Sequence, residues 1–304
     1  MKTGFQTVGN ATLIAYDDQN PVLVTDPWIT PHAYFGSWGL SHEIPEAQLQ
    51  AIKKCRFVWF SHGHPDHLNP DSLPYFKGAQ ILLGDHVGGR IRATLEQAGF
   101  QVQVLKDRKW YRLSPSIRIL CMADSYQDSM LLLEINGRLV INTNDAMEFG
   151  RVPFIRRMTK KYPTSLLLSI SGWGSADMSN LFSEDGRFVG TPELLDRTPI
   201  GRTNATKTER FGATHFIPFS SFHWYQRSDS AWANQYIANL SDFYTGFQSS
   251  LCRGLPAFIS YDCESDTYVS LNPKELALDI QKPEAFGDDW NAPLVNSEFK
   301  RVEQ

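Results

Sequence analysis

The chain has 304 residues, 42% of them hydrophobic and 20% charged, with a formal net charge of −4 and a pI near 6.1. These values describe an ordinary globular protein and exclude a disordered, fibrous or nucleic-acid-coating chain, because phosphate binding needs clustered Lys and Arg to displace counterions. Length alone leaves open one large domain or two. The N-terminal stretch MKTGFQTVGNATLIAYDD lacks the basic-then-apolar order of a signal peptide. Short apolar runs bounded by turn residues then predict buried strands over residues 12–16, 22–26, 57–62, 80–85 and 117–124. Between them, helices are expected over 45–54, with Pro45 at the start, and over 88–99, closed by Gly99. A further helix start is read at Asn69-Pro70-Asp71, with Asn69 as cap.

Within residues 129–145, Asn136-Gly137 sits between two apolar runs and supplies the positive-φ residues of a tight hairpin. The basic patch at residues 156–161 reads as a solvated helix face. Strands are expected again over 164–172, 215–221 and 257–262. Residues 177–208 are polar and aperiodic, which predicts a long loop or an excursion over a site. Residues 228–247 carry Trp232, Tyr236, Ile237 and Leu240 at helical spacing and predict a helix. Mixed strands and helices imply an α/β chain, read as one domain over 1–304 with an extension after about residue 270. The four cysteines, Cys55, Cys121, Cys252 and Cys263, form no CxxC pair and read as buried thiols. No apolar run approaches the ~20 residues that span a bilayer. The expectation is a cytoplasmic protein whose partner is a small molecule, neither nucleic acid nor membrane.

The stretch VWFSHGHPDHLNP, residues 58–70, sets three of the chain's eight histidines directly after a buried run. Alternate side chains leaving a strand point the same way, so His62 and His64 can converge while Gly63 lets the backbone turn. Asp66 and His67 follow the bend. Imidazole and carboxylate suit Zn, Fe or Mn, and four such groups on one loop can serve two adjacent divalent ions rather than one.

This HxHxDH form resembles the signature of the metallo-β-lactamase superfamily. The openings "VGNATLIAYDDQNPVLVTDPWI", "NTND", "PFSSFHWYQRSDS" and "YDCES" are similar to the branch with the CMP-N-acetylneuraminate hydroxylases and the sugar-phosphate lactonases, over roughly residues 8–270. The resemblance implies a four-layer αββα sandwich. It gives His62 and His64 to one metal, Asp66 and His67 to the other, and makes Asp145 the carboxylate that bridges them. It also calls for a late histidine. His223, at the exit of a strand, is preferred over His215, at its entrance. A histidine ligand expected shortly before the hairpin is absent, and Asp124 or Asp128 stands in its place.

A metal pair lowers the pKa of bound water, so hydroxide can attack an ester, lactone or phosphodiester, with Asp66 orienting or deprotonating that water. No G-x-S-x-G elbow, P-loop or GxGxxG competes with this reading. A metal-dependent hydrolase is therefore the first expectation. The second is a non-haem di-iron oxygenase, which would draw electrons from a donor protein, since the chain carries no Rieske-type ligand pattern. The third is a non-catalytic metal-binding protein. Trp28, Tyr34, Trp38, Trp173 and Trp224 fall in loops near the ligand segments; Trp28, Trp173 and Trp224 are the candidate pocket walls.

Overall fold

Side chains alternate across a strand, and that alternation decides the layers of this molecule. The structure, a computed structural model, describes residues 1–169 and 200–287 apart from 126, 147, 149, 221 and 250. In chain order, β1 (Gly4–Gly9), β2 (Thr12–Asp17) and β3 (Asn20–Thr25) form a meander, followed by β4 (His32–Ala33) and β5 (Trp38–Leu40). Next come α1 (Glu46–Lys54), β6 (Phe57–Phe60), β7 (Gln80–Gly84), α2 (Arg90–Gln97) and β8 (Gln101–Leu105). Then β9 (Trp110–Arg112), β10 (Ile117–Ala123), β11 (Ser129–Ile135) and β12 (Arg138–Asn144) lead to α3 (Val152–Thr159) and β13 (Ser165–Ser169). The last elements are α4 (Ile200–Phe211), β14 (His215–Pro218), β15 (His223–Tyr225), β16 (Arg253–Gly254), β17 (Ile259–Asp262) and β18 (Thr267–Ser270).

Among the described residues these strands make an eight-stranded sheet, β18-β17-β1-β2-β3-β6-β7-β8, and a seven-stranded sheet, β16-β14-β13-β12-β11-β10-β9. A small third sheet, β15-β5-β4, lies beside them. Leu13, Ala15, Trp59 and Leu82 of the first sheet face Ile119, Cys121, Leu131, Val140 and Leu166 of the second in one shared core. Their strand neighbours point outward. Ile14, Val58 and Leu83 meet Ile52 of α1 and Leu95 of α2, while Leu120, Ile141 and Leu167 meet Ile155 of α3 and Phe211 of α4. The result is helix, sheet, sheet, helix, held by side chains that each contribute about 1.5–3 kcal/mol when fully buried. This is the four-layer αββα order that the motif's resemblance implied.

Several local expectations match the structure. Asn136 and Gly137 have φ of 45° and 75°, and they turn β11 into β12. Arg156, Arg157, Lys160 and Lys161 are exposed, on or just beyond α3. The four cysteines are buried free thiols. Among the described residues no helix is long and apolar enough to cross a membrane.

Two stretches differ. Residues 228–247 are not one α-helix but short 3₁₀ turns, Ala231–Tyr236 and Leu240–Tyr244, followed by Phe247–Ser249. Asparagine side chains compete with the helix there. Asn234 bonds both the N–H and the C=O of Tyr225, and Asn239 caps the second turn reciprocally with Asp242. The excursion expected over 177–208 is helical from Ile200 onward, and its earlier part lies outside the described residues. Between Ile200 and Phe211 the buried face of α4 is Gly201, Asn204, Ala205 and Thr208, small and polar residues that give no apolar period. Beyond β18, residues 271–281 run back along the third sheet through isolated bridges at His42–Glu275 and Arg227–Gln281.

Candidate metal centre

Ligands in open α/β sheets gather at the carboxyl ends of parallel strands, and here β3, β6 and β12 end together. Asp26 follows β3, Ser61 and His62 follow β6, and Asp145 follows β12. Asp26 is fully buried, and its backbone φ is 38°. Its Oδ1 accepts from Ser61 N at 2.7 Å and its Oδ2 accepts from Asn144 Nδ2 at 2.8 Å. That pair fixes the exit of β6 against the exit of β12. The loop then folds back on itself, with the N–H of His67 and of Leu68 donating to His64 O. Asn69 caps the turn beyond, accepting from Ser72 N at 2.9 Å, and its amide donates to His32 O and Pro65 O.

His62, His64 and Asp145 each turn a ligand atom into a space where all three lie within 4.8 Å of one another. His62 Nε2 is 2.8 Å from His64 Nδ1 and 3.8 Å from Asp145 Oδ2. The same Asp145 oxygen is 3.4 Å from His67 Nε2, so Asp145 stands between the two imidazoles. His67 Nε2 is also 3.2 Å from Asp66 Oδ2. The other nitrogen of His67 lies 3.3 Å from Asp26 Oδ2. A carboxylate behind an imidazole sets its tautomer and aims its free nitrogen, the usual support of a metal ligand. Asp145 Oδ1 is buried and has no hydrogen-bond partner among the described residues, a deficit that a cation would relieve. The donor set fits one or two divalent ions.

The pre-hairpin aspartates separate into two roles. Asp124 Oδ1 accepts from Asp128 N at 3.0 Å, and Asp124 lies 3.7 Å from Arg151, so it closes the turn. Asp128 is the one that reaches the cluster, with Oδ1 3.1 Å from His62 Nδ1. Charge follows from this packing. Burial, helped by His67, pushes His62 down to about 3, which leaves a neutral imidazole with a lone pair to offer. Burial opposes protonation of His67, but Asp66 and Asp145 outweigh it and hold it well above the usual imidazole range. Burial likewise opposes ionisation of Asp66 and Asp145, yet His67 keeps both below the usual carboxylate range. Asp128 is pushed up to about 7 by burial and then by Asp145 and Asp124.

Of the remaining predicted residues, His223 lies near enough to Asp66 to feel its charge. His223 is buried and stacked on Trp38, ring centroids 3.6 Å apart and 8° from parallel, and neither of its nitrogens has a hydrogen-bond partner among the described residues. His215 opens β14, at the opposite end from the cluster, with Nδ1 2.9 Å from Thr214 Oγ1. Trp28 is packed in a cluster with Ala33, Trp38 and Tyr225. Trp224 lines a cavity of about 270 Å³ with Ser41, His42 and Glu275 and donates to Leu276 O. Trp173 lies outside the described residues.

Asp26, Asn144 and Lys207 escaped sequence reasoning, and Tyr34 was read only as an aromatic residue near the ligand segments. The hydroxyl of Tyr34 donates to Asp66 Oδ1 at 2.7 Å. Lys207 Nζ donates to Ser169 Oγ at 2.7 Å and Thr143 Oγ1 at 3.3 Å, tying the ends of β12 and β13 beside Asp145, and burial pushes it down to about 8. Only for Asp26 was there a signal, a charged residue closing a buried run.

No family model matches the chain. In sequence it is 29% identical over 143 residues to a cytidine monophosphate-N-acetylneuraminic acid hydroxylase of Asterias rubens, which covers 43% of this chain and 22% of that protein. The chain spans less than a third of the length of the curated relatives it matches. In structure it resembles the isothiocyanate hydrolase from Delia radicum gut bacteria, with a TM-score of 0.56 at 11% identity over 83% of this chain and 95% of that one. It also resembles CmlA, a diiron β-hydroxylase from Streptomyces venezuelae, with a TM-score of 0.51 at 12% identity over 89% of this chain and 54% of that one. Layers, motif and relatives agree on a chain of the metallo-β-lactamase fold, similar in sequence to the CMP-N-acetylneuraminic acid hydroxylases.

Proposed function

We propose that the chain is an enzyme with a two-ion centre that activates oxygen at iron to hydroxylate a small molecule. The donor set carries the reading. Three imidazoles, His62, His64 and His67, meet two carboxylates, Asp66 and Asp145, while Asp128, from the stretch where the resemblance calls for another imidazole, stands behind His62 at Nδ1. Harder oxygen donors favour iron or manganese over zinc. The hydroxylases that match in sequence support the same choice.

When bound, the ions supply redox chemistry and polarise a reacting oxygen. The chain's residues do the rest. His62 is held neutral and needs to lose no proton before it binds. Asp26 aims His67 at Asp145, and Asp145 is placed to be shared between the two groups of ligands. Cys55, Cys121, Cys252 and Cys263 are buried and scattered, so the reading assigns the electrons to a separate donor protein.

Hydrolysis by a metal-activated water is the second reading, favoured by one observation. Asp66 is held ionised beside His67, so its carboxylate can orient an attacking water. Elemental and Mössbauer analysis of protein purified without added metal separates the two. Paired iron with substrate-dependent oxygen uptake supports hydroxylation. Zinc or manganese with turnover of a lactone or phosphodiester panel supports hydrolysis. Bound metal with neither activity leaves a non-catalytic metal-binding protein, and a metal-free preparation that refuses added ions sinks every version.

A further inference from the structure

Tyr34 sits at the tip of the β4–β5 ribbon with φ of 49°, followed by Phe35 at 54° and Gly36 at 81°. Two successive non-glycine residues in the left-handed region are unfavourable and persist only where their surroundings hold them, a pattern that clusters at functional sites. The surroundings here are specific. Arg227 Nη1 donates to Phe35 O at 3.1 Å. The ring of Phe286 covers Gly36 so closely that an added Cβ would lie 2.1 Å from it. What the strained turn presents is the Tyr34 hydroxyl, 2.7 Å from Asp66 Oδ1. The ring of Tyr34 rests on Trp38, with centroids 4.5 Å apart, and Trp38 stacks in turn on His223. The late histidine thus lies behind an aromatic layer, and a phenol reaches Asp66 from the same ribbon.

We propose that Tyr34 is a positioning residue of the metal centre: its hydroxyl occupies Oδ1 of Asp66, leaving Oδ2 alone turned to His67 and to the ion held there. The inference rests on the two-ion reading and extends it to a residue outside the motif.

The test is cobalt(II) titration of the wild type and of Tyr34→Phe, which keeps the ring on Trp38 and removes only the hydroxyl. The wild type should bind two ions. In Tyr34→Phe one site should weaken roughly tenfold or more, with altered d–d absorption, while the other is unchanged. Identical affinities and spectra in the two proteins overturn the inference and leave the two-ion reading intact. A phenolate-to-iron charge-transfer band in the ferric wild type, lost in Tyr34→Phe, also overturns it, because Tyr34 would then be a ligand. A wild type that takes up no cobalt overturns the two-ion reading itself, and this inference with it.

Discussion

Asn144 Nδ2 donates to Asp26 Oδ2 at 2.8 Å, and this bond joins the end of a strand in one sheet to the end of a strand in the other. Asp26 also holds Ser61 N and faces His67 Nδ1, so one buried carboxylate serves three groups. Asp26→Ala leaves all three without it and should cost about 3 kcal/mol of stability, measured by urea denaturation. Asp26→Asn keeps an acceptor but turns an amide N–H on His67 or Asn144. It should lower metal affinity by about 10–100-fold at a smaller cost in stability. Normal metal affinity in Asp26→Asn would show that His67 needs no support from behind.

His64 is exposed, although it belongs to the clustered triad. His64→Ala should change stability by less than about 0.5 kcal/mol while removing most bound metal, as read by elemental analysis. Asp145→Asn should act in the same direction. Full metal content in both variants would place the ions elsewhere.

The strands were legible as short apolar runs and the motif as a local cluster, whereas the four layers came with the resemblance that the motif carries. Leu13 and Ala15 alternate with Ile14, and Ile119 and Cys121 with Leu120, between two buried faces, so a continuous apolar run does not say which face meets which layer. The convergence of His62 and His64 needed only strand geometry, and Asp145 came from the resemblance, at the close of the second hairpin strand. The site's supports depend on distant pairings. Asp26 meets Ser61 only because β3 lies parallel to β6, and Tyr34 meets Asp66 only through a left-handed turn clamped by Phe286. The choice between Asp124 and Asp128 rested on the path of a turn whose strained residue, Gln127, has φ of 72°. Periodicity carries none of that.

Asp128 links stability to pH. Its carboxyl is pushed up to about 7, above the ~3.9 of an unfolded chain, so between these values the folded state keeps a proton that the unfolded chain has released. Stability of the metal-free protein should therefore fall as pH rises from about 4 to about 7. Asp128→Asn removes this loss, and above about pH 7 it should gain on the order of 1 kcal/mol over the wild type, reduced by solvent screening. Denaturation in chelator near pH 5 and near pH 7.5 gives the comparison. A variant that differs from the wild type equally at both pH values would rule the linkage out.

Gly36 combines a left-handed φ of 81° with the Phe286 ring packed upon it. Gly36→Ala should destabilise the protein by about 1–3 kcal/mol, seen as a lower Tm. The same variant should loosen Tyr34 and raise its mobility in relaxation measurements. An unaltered Tm would mean that residues 283–286 do not brace the ribbon.

His62 leaves one sheet and Asp145 leaves the other, and their ligand atoms are only 3.8 Å apart. An ion gripped by both is a rivet between the two halves of the sandwich, closing a loop that includes most of the second sheet. Loop closure of that length gains little from each added residue, so the rivet's strength comes from how tightly it is held and how much of it is supplied. The melting temperature of this protein will then move with the free metal concentration, and only a value given together with that concentration describes the chain.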